Sequence, residues 1–330
     1  MTNVKTLTAC VCAFCFMLLP ALPATQSSFE GTNCSISLTY NESASPGDAV
    51  VIRMTLKSRE HKKTMQETIA TAQLFSKKKK IDSSLFFLVN PKSRHQNVQE
   101  LLALIPLSSW LSGDDYSLKV IYTAFGSDAE EFVLPFVLNE KKFAEETIPL
   151  NEKNTEIKTD TSPAHVAQVE KLNTILETVV PSDVFFLKPF VSPVESTRRT
   201  AGFGDRRVYT YTGGKESSSV HYGIDFGVPE GTAVSACGDG RVVMAENRIS
   251  TGWSVVIEHA PGLYSLYYHM KSLNVKEGQS VRQGEKIGLS GATGLATGPH
   301  LHWEVRLNMC AVSPDFFTTD YAYSAKQAAD

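Results

Sequence analysis

The sequence predicts a mainly β chain in two domains, on three observations. Short apolar–polar alternations recur along most of the 330 residues. Clusters of glycine, serine, asparagine and aspartate separate them, and a helical period surfaces only once, near the middle. The length gives room for two cores. A formal net charge of −3 supplies no electrostatic case for a nucleic acid or an anionic membrane surface as partner.

At the N-terminus Lys5 precedes an apolar run from Leu7 to Leu22, and the small and polar "PATQSS" follows. This predicts a secretory signal over residues 1–24, cleaved after Ala24, and an exported protein of the periplasm or cell envelope. An uncleaved signal anchor is the alternative and the one membrane contact expected. Cys10, Cys12 and Cys15 leave with the signal. Cys34, Cys237 and Cys310 remain, an odd number for an oxidising compartment. Cys237 and Cys310 share a domain, which leaves a disulfide between them open. Cys34, Cys237 and Cys310 have no CxxC spacing among them, which argues against a thiolate zinc site.

Residues 25–150 carry the first set of strands. "CSISLTY" and "AVVIRMTL" flank the turn text "SASPGD", and "SLFFLV", "YSLKVIYTAF" and "EEFVLPFVL" continue the pattern. Short strands at this spacing predict an immunoglobulin-like β-sandwich. The lysines Lys77–Lys80 suit a solvated loop or edge. Residues 151–188 read as a linker that opens on polar "NEKNTEIKTDTSP". Within it, Ser162-Pro163 starts a short amphipathic helix with Val166, Val169, Leu172, Ile175, Leu176 and Val179 on one face, and Pro181 stops it. Glycine-punctuated strands such as "GTAVSACGDGRVVMAE" and "GWSVVIEHAPGLYSLYYHM" make residues 189–320 a compact antiparallel β domain. Residues 321–330 form a tail.

Histidine is unevenly spread. Five of the eight fall between His221 and His302. In "HYGIDFG", His221 and Asp225 stand four apart; in "HLH", His300 and His302 stand two apart. Strand side chains alternate faces, so each pair can project to one side of an extended segment. His221, Asp225 and one histidine of the later pair would supply two imidazoles and a carboxylate. That set suits zinc and leaves a fourth position for water. The other histidine of the pair and His269 are then free to exchange protons or stabilise an oxyanion.

These residues lie in text that resembles the M23 peptidases, the LytM/lysostaphin-type zinc endopeptidases. "HYGIDFGVPEGTAVSACGDGRV", "VVIEHAPGLYSLYYHM", "VKEGQSVRQGEKIGLSGATG" and "TGPHLHWEVRLN" carry the likeness in order, and Phe203–Arg207 matches the family's FGxRR lead-in. The resemblance implies a C-terminal domain of the M23/lysostaphin type with His221, Asp225 and His302 as ligands of one zinc ion. It implies His300 and His269 as catalytic residues, and His259 as supporting structure around the ligands. Trp253, Ser265 and Met270 depart from the family's frequent residues without touching a ligand position. The loop "RVYTYTGGKESSSVH" is long and polar, fit to shape or cover the cleft.

The implied function is zinc-dependent endopeptidase action on peptide stems or cross-links of bacterial peptidoglycan. The alternative is a non-catalytic protein of the same fold that binds peptidoglycan or activates another hydrolase. All five positions are present, which favours the enzyme. A third reading docks the sandwich, or the helix at Pro163–Val180, over the cleft as a restraint.

Overall fold

Alternation in the first strands builds two facing sheets. In a computed structural model, which describes residues 22–59 and 67–324, strands Thr25–Glu30, Cys34–Tyr40, Ala49–Ser58, Val98–Pro106 and Phe87–Leu88 form one sheet. Glu130–Pro135, Tyr116–Thr123, Ile69–Ser76 and Lys79–Leu85 form the other. Ile36, Leu38, Ile52, Met54, Leu118 and Val120 meet between them in one apolar core. Lys77–Lys80 occupy the exposed tip of the hairpin joining Ile69–Ser76 to Lys79–Leu85, with Lys77 at φ 55°. All but the last three residues of the expected signal lie outside the described residues.

Parts of two central strands of the first sheet are buried on both faces, which alternation alone did not foretell. In Ala49–Ser58, Val50 and Ile52 point into the sandwich, while Ala49 and Val51 point into a second core. In Val98–Pro106, Leu101 and Ala103 face the sandwich, while Leu102 and Leu104 face away from it. That second core is the interior of the C-terminal domain and contains Trp303, Val305, Val312 and Phe317. Runs such as "AVVI" and "LLALI" are apolar on both parities for this reason.

Between the domains the chain is more ordered than a linker. Glu145–Pro149 leaves the sandwich and pairs in parallel with Arg206–Thr210, whose antiparallel partner is Glu216–Val220. Helix α1 (Glu152–Thr159) follows, inside the segment expected to be a polar linker. The Asn151 side chain caps it by accepting from the Asn154 N–H at 2.9 Å. Helix α2 (Pro163–Glu177) starts where Ser162-Pro163 predicts, with the Ser162 hydroxyl accepting from the His165 N–H. Its apolar face divides. Leu176 is buried, and Leu172 and Ile175 are partly so, against Met244, Val256 and Tyr264; Val166, Val169 and Val179 stay exposed. The N-terminal half is held by polar contacts instead, with Gln168 accepting from the Ile249 N–H and Lys171 paired with Glu246. No helix among the described residues is long and apolar enough to cross a membrane.

The C-terminal domain is an antiparallel sheet with Gly223–Phe226, Leu301–Leu307, Leu263–Leu273, Gly252–Ala260 and Gly240–Arg248 as successive neighbours. The expected tail is not all tail: Tyr321, Ala322 and Tyr323 are buried in the core, and Arg53 donates to the carbonyls of Ala322 and Tyr323. Among the described residues, Cys34, Cys237 and Cys310 are free. The Cys237–Cys310 disulfide left open by the sequence does not form: Cys237 packs beside His259, its Sγ 3.7 Å from Nε2. Burial pushes the Cys237 thiol up to about 12, so it serves as a small apolar side chain.

Candidate metal centre

Strand register assembles the centre. Asp225 lies directly opposite His302, and His302 directly opposite Tyr268, so the three project from one face of the sheet. Leu301 and Trp303 point the other way into the core. Gly223 is required by closeness: a Cβ there would fall 2.3 Å from the Trp303 carbonyl oxygen and 2.9 Å from His302 Nε2. His221, just before this strand, turns in beside Asp225.

Three donor atoms converge. His302 Nδ1 is 2.7 Å from Asp225 Oδ1, His221 Nε2 is 3.1 Å from the same oxygen, and the two nitrogens are 2.9 Å apart. All three residues are buried. The outward nitrogens fix the tautomers. His221 Nδ1–H donates to the Gly202 carbonyl at 2.7 Å, and His302 Nε2–H donates to Glu304 Oε1 at 3.0 Å. The inward atoms are then three acceptors within hydrogen-bonding distance of one another. Such a set repels itself unless a cation or protons stand among the atoms, so the donors fit a metal ion.

The surroundings hold each ligand in place. Arg207 donates to Asp225 Oδ2 at 3.1 Å, and its Nε pairs with Glu146. Arg306 pairs with Glu304 behind His302, and Tyr268 stacks on the His302 ring at 5.5 Å. Burial would raise the Asp225 carboxyl, but a proton shared with His221 and His302 holds it well below the usual range. Burial would lower His302, but Asp225 and Glu304 on its two sides push it up to about 9. A cation entering this set displaces a proton.

His269 and His300 stand beside the triad, their rings 4.7 Å apart. His269 Nδ1–H donates to the Thr293 carbonyl, and His300 Nδ1–H to the Gly298 carbonyl, each at 2.8 Å. Both Nε2 atoms are left as free bases, that of His300 3.8 Å from Asp225 Oδ1. Burial, then neighbouring His300 and His302, brings His269 down to about 3; burial also lowers His300. Both rings are neutral at pH 7. His269 adopts φ 60°, uncommon outside glycine, and its N–H donates to the Thr251 carbonyl.

His259 lies elsewhere. It is buried among Asp239, Ser265 and Cys237, and none of the ligand side chains is among its hydrogen-bond partners. Ser265, one of the departures, is its partner. The polar "loop" is the hairpin Arg206–Val220, which walls the cleft. Arg207, Tyr209 and Ser219 face the cavity of about 360 Å³ that holds the histidines. A larger cavity lies on the reverse face of that wall against Trp110. Helix α2 does not cover the cleft; Ile148, Leu150 and α1 line it instead. The letters of the sequence did not reveal the roles of Arg207, Glu304, the Thr293 carbonyl or α1.

The sequence profile of peptidase family M23 matches residues 219–314. Over 114 residues the chain is 44% identical to the peptidoglycan DD-endopeptidase ShyA of Vibrio cholerae serotype O1, covering 34% of this chain and 26% of ShyA. Over 127 residues it is 39% identical to the DD-carboxypeptidase/endopeptidase Mpg of Neisseria meningitidis serogroup B, covering 38% and 28% of the two chains. The matches thus span about a quarter of those relatives. A crystal structure of a Pseudomonas aeruginosa protein assigned to M23 aligns over 83% of this chain and 94% of its own. Its TM-score is 0.52 at 20% identity, a likeness of fold.

Proposed function

Because the chain belongs to peptidase family M23, we propose that it is a zinc-dependent endopeptidase that hydrolyses peptide stems or cross-links of peptidoglycan outside the cytoplasm. One observation carries the reading: three inward atoms that could hold a metal ion stand beside two neutral imidazoles with free Nε2 atoms. The peptidoglycan substrate rests on the named activities of ShyA and Mpg. Export rests on the N-terminal signal pattern.

His221 Nε2, Asp225 Oδ1 and His302 Nδ1 would hold the zinc ion. Bound there, zinc supplies Lewis acidity, polarising an amide carbonyl and lowering the pKa of water. The chain's own groups supply proton transfer. His300, whose free nitrogen lies 3.8 Å from Asp225 Oδ1, accepts a proton from the attacking water and returns it to the leaving amine. His269, held by the Thr251 and Thr293 carbonyls, stays neutral beside His300 with its Nε2 free as a second base. Arg207 holds one oxygen of Asp225 so that the other stays turned inward.

The test is digestion of purified peptidoglycan by the full chain with zinc, with a chelator, and with His302→Ala. Release of peptide products should fall at least about 100-fold in the last two, as expected for losing a metal-centred site. Equal release in all three would sink the metal assignment. A protein that binds peptidoglycan without releasing products would be the non-catalytic alternative.

A further inference from the structure

One charged group in the cleft lacks a counter-charge. Lys158, in the last turn of α1, lines the same cavity as His221, His269 and His300. Its ammonium stands 4.5 Å from the centroid of the Tyr209 ring, and no carboxylate pairs with it among the described residues. Neighbouring carboxylates are engaged, since Glu146 and Asp225 both pair with Arg207. Burial, and then the charge of Arg207, holds the Lys158 ammonium below the usual lysine range. A half-buried cation beside a second cation is an environment that favours an incoming anion.

The helix carrying it is fixed to the catalytic loops. Asn154, buried, donates from Nδ2 to the Ala296 carbonyl at 3.1 Å, in the loop that leads to His300. Thr155 Oγ1 accepts from the Thr212 N–H at 3.3 Å, tying the same helix to the tip of the hairpin wall. Lys158 is therefore presented to the cleft by a braced element, although α1 lies outside the segment 219–314.

We propose that Lys158, seated on Tyr209, recognises a free carboxylate of the bound peptide and so determines which peptides enter the cleft. The favoured substrate carries an acidic group near the scissile bond, unlike a glycine bridge, whose residues have no side-chain charge. This inference rests on the peptidase reading for the word substrate, but its test does not require turnover.

Two synthetic peptidoglycan-type peptides, identical except that one has its side-chain carboxylates amidated, would be titrated by calorimetry into the zinc-loaded full chain. The background is His300→Ala, so that the peptides stay intact. The acid peptide should bind about tenfold tighter than the amide, the scale of one charge-assisted hydrogen bond. Lys158→Gln should erase that ratio, and Lys158→Arg should restore most of it. In the otherwise unaltered chain, Lys158→Gln should raise KM for the acid peptide and leave kcat in place. An acid-to-amide binding ratio unchanged by Lys158→Gln overturns the proposal. So does a gain of kcat on both peptides, which would make α1 an obstruction. Ratio-dependent binding without any cleavage by the unaltered chain would uphold Lys158 and defeat the peptidase reading instead.

Discussion

Arg207 shows how much of a candidate metal centre can lie in a residue outside its donor set. It bridges Glu146 and Asp225 and fixes which carboxylate oxygen faces inward. Arg207→Met should weaken zinc affinity about 10- to 100-fold, the usual cost of losing a partner behind a ligand. A competition titration with a chromogenic chelator would measure it, and an unchanged affinity would refute the role. The five titratable side chains at the centre were legible because histidine is scarce and its spacing suits strands. Arg207 was not, since an arginine in a polar stretch reads as solvent-facing. The carbonyls of Gly202, Thr293 and Gly298, which set three tautomers, have no letter of their own.

At the scale of elements, the two helices contrast. α2 was legible from its cap and period, yet only its C-terminal half packs. Leu176→Ala should therefore cost about 2–5 kcal/mol of unfolding free energy, as for a buried leucine elsewhere. Val166→Ser should stay within about 0.5 kcal/mol. Denaturant titration of both variants checks this, and equal losses would contradict the divided face. α1 escaped notice because it has eight residues and is polar nearly all round, too short and too soluble to signal itself. Its helical form depends on contacts with Ala296 and Thr212, remote positions that no local window contains. The hairpin Arg206–Val220 was hidden similarly, its serines and threonines resembling loop text.

For the whole molecule, the order of the domains was legible and their joint was not. The apolar doublets in Ala49–Ser58 and Val98–Pro106 read as thick core strands, and nothing local says that their second face belongs to another domain. Since the two cores share a sheet, the metal-loaded chain should unfold in a single calorimetric transition, with calorimetric and van't Hoff enthalpies in agreement. Two separated peaks would show independent domains. Consecutive residues Arg206 and Arg207 lie on this joint and serve opposite sides of it. Arg206 rests on the rings of Trp110 and Phe143, and Arg207 reaches Asp225. Selection therefore acts on the two arginines separately. A descendant that shed its sandwich would leave the first free to drift while the second stayed bound to its carboxylate, and half of what looks like one basic motif would vanish from the lineage.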